Sequence, residues 1–118
     1  KCLAGLNGLT VPVERPWAKN VYWMYGVLIE DSFGLTRDQF MQELRDRNVD
    51  TRTFFVPMNQ QPALHKLGLY KGEKYPVSDE IGKKGLYLPA GLAITKAQVE
   101  RVCEVIIEVH KKFHGRKV

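Results

Sequence analysis

The chain has 118 residues, with 18 Lys and Arg against 13 Asp and Glu for a net charge of +5. That length suits one domain and excludes two independent ones, and 44% apolar with 26% charged residues excludes a disordered or collagen-like chain. The charge is local: Lys111, Lys112, Arg116 and Lys117 lie in the last eight residues, which hold no acid, so residues 1–110 carry a net of only +1.

This basicity belongs to a C-terminal tail, where cations favour the negative end of a helix, and it does not indicate a nucleic-acid partner. The longest apolar run, Val21 to Ile29, is far short of the ~20 residues of a membrane span. The first residues, Lys1 to Leu6, have neither a long apolar stretch nor an initiating Met, so the expectation is a chain without a leader that begins downstream of its gene's start. Two cysteines, Cys2 and Cys103, are able to close one disulfide. Because Cys103 falls on the apolar stripe of a predicted helix, the expectation is a free buried thiol in a reducing, cytoplasmic setting.

In chain order, residues 1–20 are rich in Gly and Pro around a short β-like Leu9-Thr10-Val11 and read as a connector into the domain. Val21 to Ile29 is apolar or aromatic at every position but Gly26, which predicts a central strand covered on both faces. Asp31 to Gly34 is a turn. Thr36-Arg37-Asp38-Gln39 is a capping box, and the helix it opens sets Phe40, Met41 and Leu44 on one face and ends near Asn48. A second strand is predicted over Val49 to Val56, stopped by Pro57.

Pro57 to Tyr75 is irregular, apart from a helical turn from Pro62 to Gly68. Pro76 to Gly85 reads as a short helix with acids early and lysines late, followed by a brief strand, Leu86-Tyr87-Leu88. A second capping box, Thr95-Lys96-Ala97-Gln98, opens the final helix, whose apolar stripe is Val99, Val102, Cys103, Ile106, Val109 and Phe113. The predicted fold class is α+β: a small, mostly antiparallel or mixed sheet of about three strands with helices packed mainly on one face.

Most catalytic signatures are absent. Gly82-Lys83 is followed by Lys84 where a phosphate loop needs Ser or Thr, and neither Ser32 nor Ser78 lies in a nucleophile elbow. His110 and His114 stand four apart, the spacing of a two-histidine metal pair, but without a third ligand they read as a solvated tail, and His65 reads as structural. Tyr22, Trp23, Tyr25, Phe54 and Phe55 occupy adjacent positions with no interleaved base, which favours core packing over an RNA-stacking sheet. Arg52 is different. A mid-strand arginine needs an anion or a carboxylate such as Asp50 or Glu30, or else exposure on an edge strand. Just beyond it, Asn59, Gln60 and Gln61 cluster three amides on a loop, able to orient a polyhydroxylated ligand or simply to form a turn.

Taken in order, Asn20 to Gly26, Thr51 to Met58 with Gln61-Pro62, Tyr75-Pro76-Val77-Ser78, and Gly85 to Pro89 with Gly91-Leu92 and Thr95 resemble the C-terminal small domain of the DegT/DnrJ/EryC1/StrS aminotransferases, most of all the perosamine synthetase type. The resemblance covers about residues 3–112. It implies a fold-type-I, homodimeric, pyridoxal-phosphate enzyme that moves an amino group from glutamate to a nucleotide-linked keto-sugar. It also implies that the Schiff-base lysine and the phosphate loop belong to a large N-terminal domain outside this sequence. No catalytic, cofactor-binding or metal-binding residue is therefore nominated, and pyridoxal phosphate is expected in the full-length family but not in this chain alone.

By resemblance, Arg52 contacts the nucleotide-sugar phosphates, and the loop from Pro57 to Gln61 walls the sugar pocket through Asn59 and Gln61. Many members carry His where this chain has Asn59, which can donate to a sugar hydroxyl but cannot move a proton at pH 7. The expected organisation is a connector (1–20), the small domain (21–112) and a basic tail (113–118). The expected function is the substrate-closing domain of a sugar aminotransferase, inactive alone; the alternative is a stand-alone protein-interaction or oligomerisation module derived from it. Its expected partners are the large domain or a second copy, with no nucleic acid and no membrane.

Overall fold

The computed structural model describes residues 2–114; the last part of the predicted basic tail, with Arg116 and Lys117, lies outside them. Four strands form one sheet, β1 (Leu9–Thr10), β2 (Tyr25–Ile29), β3 (Arg52–Thr53) and β4 (Gly85–Leu88), in the order β1-β2-β4-β3 with every pair antiparallel. The helices are α1 (Arg37–Arg45), α2 (Pro62–Lys66), α3 (Pro76–Lys84) and α4 (Lys96–Phe113). The α+β class holds. The fourth strand is Leu9–Thr10, whose pairing with Leu28 and Ile29 draws the predicted connector into the sheet.

Alternation along the strands separates two faces. Val27, Ile29, Leu86 and Leu88 point to one side, where Phe40 and Leu44 of α1 and Cys103, Val105, Ile106 and Val109 of α4 bury them. Leu3 and Leu9 join this core, so the N-terminal segment packs on the same side. Both capping boxes form: Thr36 N–H donates to Gln39 Oε1 at 2.9 Å and Thr95 N–H to Gln98 Oε1 at 2.8 Å, each returned by a backbone bond to the threonine hydroxyl. Arg47 spans the two helices, donating to Glu43 at 2.7 Å and to Glu108 at 3.2 Å.

Several expectations need correction. The predicted strand from Val21 shortens to Tyr25–Ile29, with Val21 and Trp23 left 84% and 80% exposed rather than packed in a core. Tyr22 N–H donates to Asn20 Oδ1 at 2.8 Å and Tyr22 adopts φ 50°, a side-chain-closed turn that ends the extended run. The second predicted strand shrinks to Arg52–Thr53 because β4 offers only a short edge, and Phe55 is exposed. Val49 is buried instead, its N–H bonded to Leu44 O after Asn48 turns the chain at φ 62°; that left-handed residue follows the end of α1. On α4, Val105 is buried and Val99 is largely exposed, since α1, β2 and the N-terminal segment together cover a face rotated from the predicted stripe.

The largest correction concerns sulfur. Cys103 is buried as expected but is not free: it is bonded to Cys2, with the Cα atoms 6.2 Å apart across 101 positions. The docking of Leu3 and Leu9 brings Cys2 to α4, which spacing alone does not reveal. The ground for expecting a reducing setting goes with it. No helix among the described residues is long and apolar enough to cross a membrane.

Candidate functional site

The sheet face opposite α1 and α4 carries Gly26, Gly85 and Tyr87, and on it lies the ring of Phe54, stacked on Tyr87 with centroids 4.5 Å apart. Arg52 pairs with Tyr87 across the ladder and so emerges on that face, on edge strand β3. It forms no ion pair with Asp50 or Glu30. Asp50 accepts from the Thr51 N–H at 3.0 Å, and Glu30 is engaged by Lys84 at 2.8 Å. Of the readings open at sequence level, exposure at an edge is the one realised.

Arg52 borders a cleft of about 460 Å³ with Trp23, Asp50, Thr51, Tyr87 and the Pro89-Ala90 turn. An unpartnered guanidinium beside the exposed Trp23 and the half-buried Tyr87 suits a planar or phosphorylated anion. Trp23, Asp50 and Tyr87 were not singled out as site residues by sequence. The one available signal was Asn20, whose side chain closes the turn that places Trp23 outside the strand.

The predicted amide loop does not converge on this cleft. Asn59 Nδ2 donates to Asp79 Oδ1 at 2.7 Å and Gln60 Nε2 to the same oxygen at 2.6 Å, fastening the loop to α3. Those two bonds hold the Asp79 carboxyl below its ordinary 3.8. Gln61 Nε2 donates back to Val56 O at 2.9 Å, and His65 Nε2–H donates to Asn59 O at 2.6 Å, the structural role expected of His65. Asn59 and Gln61 thus shape the loop and keep their side-chain oxygens as the groups left to meet a hydroxyl. His110 Nε2–H donates to Asn7 O at 3.0 Å and its ring stacks on His114; no cluster of three metal-ligating side chains occurs among the described residues.

Lys84 does not fit a Schiff base with pyridoxal phosphate. A Schiff base forms from a neutral lysine amine beside an acid for the pyridine nitrogen. The most shielded lysine side chain in an ion pair, Lys84, is locked as an ammonium by Glu30 at 2.8 Å and Glu80 at 3.0 Å, which raise its pKa further above 10.5. That is the opposite of what such an amine needs.

Residues 1–107 match the DegT/DnrJ/EryC1/StrS aminotransferase family, and the chain belongs to it. It is 28% identical over 103 residues to the GDP-perosamine synthase of Caulobacter vibrioides, covering 87% of this chain and 27% of that protein. The GDP-perosamine synthase of Vibrio cholerae is 27% identical over 104 residues, covering 88% of this chain and 28% of that one. Among solved structures, S. venezuelae DesV in complex with a ketimine intermediate superimposes with a TM-score of 0.75 at 28% identity, covering 93% of this chain and 28% of that one. The chain therefore spans little more than a quarter of the length of these relatives.

Proposed function

We propose that this chain is the C-terminal, substrate-closing small domain of a nucleotide-sugar aminotransferase, and that by itself it does not catalyse amino transfer. The observation that carries the reading is Arg52, a guanidinium without an acidic partner in an open cleft beside Trp23 and Tyr87. In this role Arg52 bonds the diphosphate of a nucleotide-linked sugar in bidentate fashion, Trp23 lies against the planar part of the nucleotide, and the loop at Asn59 and Gln61, which is outside the cleft lining, meets the sugar where it extends beyond the cleft. The cofactor, with the lysine and acid it requires, belongs to the larger part of a family-length chain. Membership of an aminotransferase family and coverage of about a quarter of its relatives support this division. Cytoplasmic placement is part of the same reading.

Titration with GDP-mannose, read by quenching of Trp23 in a Trp17→Phe background, tests it. Saturable binding weakened about tenfold by Arg52→Ala, the size of one lost charge-assisted contact, is expected. Equal binding by the variant and the parent, or none by either, overturns the role of Arg52. Borohydride trapping after addition of pyridoxal phosphate tests the inactivity: scattered, substoichiometric lysine labelling is expected, and one stoichiometric site-specific adduct refutes it.

A further inference from the structure

The bond between Cys2 and Cys103 has no part in the function proposed above, yet it joins the first described residue to the buried face of α4. We propose that these two cysteines form a reversible thiol–disulfide latch, which when closed holds the N-terminal turn on α4 and completes one wall of an apolar cavity.

The cavity, about 310 Å³, lies between the two cysteines, Tyr22, Tyr25, Leu88 and Val102. What the latch controls follows from what else holds the segment. From Asn7 onward the chain is fixed without sulfur: His110 Nε2–H donates to Asn7 O at 3.0 Å, Leu9 pairs with Ile29, and Glu30 N–H donates to Gly8 O at 2.8 Å. Before Asn7, no strand pairing occurs among the described residues. Leu9 N–H donates to Leu6 O at 3.1 Å, Leu3 is buried and Leu6 partly so, and the disulfide holds Cys2. Opening therefore releases a short turn and leaves the sheet intact.

The two cysteines differ in exposure: Cys2 is exposed and Cys103 is 7% exposed. An external thiolate consequently attacks Sγ of Cys2; the Cys2–Cys103 bond breaks, Cys103 leaves as a thiolate and takes up a proton, and Cys2 carries the mixed disulfide. A second external thiolate attacks the external sulfur of that mixed disulfide, releasing Cys2 as a thiol and a low-molecular-weight disulfide. Closure is the reverse and consumes one molecule of that disulfide as oxidant. In a family-length chain this turn is the tether to the larger domain, a consequence that rests on the proposed function; the latch itself does not.

Equilibration of the chain with reduced and oxidised glutathione at fixed ratios, followed by alkylation and amide hydrogen exchange, tests the proposal. In excess oxidised glutathione neither cysteine is alkylated. In the reduced form both are, and exchange rises about tenfold or more at Leu3 to Leu6 while amides of β2 and α4 stay protected. Cys103→Val, which keeps a hydrophobe in the core, reproduces the exchange pattern of the reduced form under oxidising conditions, its Cys2 capped by glutathione as the parent's is not. Two alkylatable thiols in oxidised glutathione, or a persistent glutathione adduct on Cys2 of the parent, overturn the latch. So does exchange spreading through β2 and α4 on reduction, or protection of Leu3 to Leu6 that is the same with and without the bond. No readout uses a nucleotide, so this result and that of the Arg52 titration are independent.

Discussion

Phe54 lies flat on the open face of the sheet because the residues beneath it, Gly26 and Gly85, have no side chains. A Cβ built on Gly85 falls 2.3 Å from Phe54 Cδ2 and 2.6 Å from Ile81 O, contacts that real atoms do not make. The ring in turn supports Tyr87, which borders the cleft with Arg52. Gly85→Ala is expected to cost about 1–3 kcal/mol, the range of overpacking, measured by urea unfolding. Part of that loss returns when Phe54→Leu accompanies it. A neutral Gly85→Ala would mean that the ring is free to move and does not position Tyr87.

Between elements, the amide loop is held to α3 through Asp79, and the attachment depends on pH. Two N–H donors favour the ionised carboxyl, so its folded pKa lies below the ordinary 3.8. A depressed folded pKa contributes stability that is present above the unfolded value and is lost as pH falls through the folded one. Asp79→Asn is therefore expected to lower Tm near neutral pH and to flatten the decline of Tm below about pH 4, followed by calorimetry. A decline as steep as the parent's would assign the acid sensitivity to other carboxylates. Lys84, at the other end of α3, joins that helix to the end of β2 through Glu30, so the excursion between β3 and β4 is tied down at both ends of α3.

At the scale of the molecule, the apolar residues divide unevenly. One face of the sheet is fully covered, while Trp17, Val21, Trp23, Phe55 and Val56 stand in solvent, Trp17 84% exposed at the tip of the turn closed by Arg15 and Ala18. These exposed apolar side chains are the residues open to a second copy. The isolated chain is expected to self-associate with rising concentration in sedimentation velocity, and Trp17→Ser with Trp23→Ser to shift it towards monomer without lowering Tm, since neither ring contributes to the core. A monomeric parent at all concentrations would remove the second copy as a partner.

The amino-acid sequence by itself determined what depends on neighbouring residues: both capping boxes, the four helices in order, the α+β class, and the family, whose motifs recur in order along the chain. Arg52 was legible as a mid-strand charge, with a ligand, an acid such as Asp50 or Glu30, and edge exposure all left open. Tertiary structure decided the rest. Whether Val21 to Met24 lie in a sheet depends on a turn at Asn20 and on the length of β4, and whether Cys103 is free depends on where Leu3 and Leu9 dock. Local periodicity marks an apolar residue as able to be buried, but only the packing of distant segments determines which of these residues, and which sulfurs, meet.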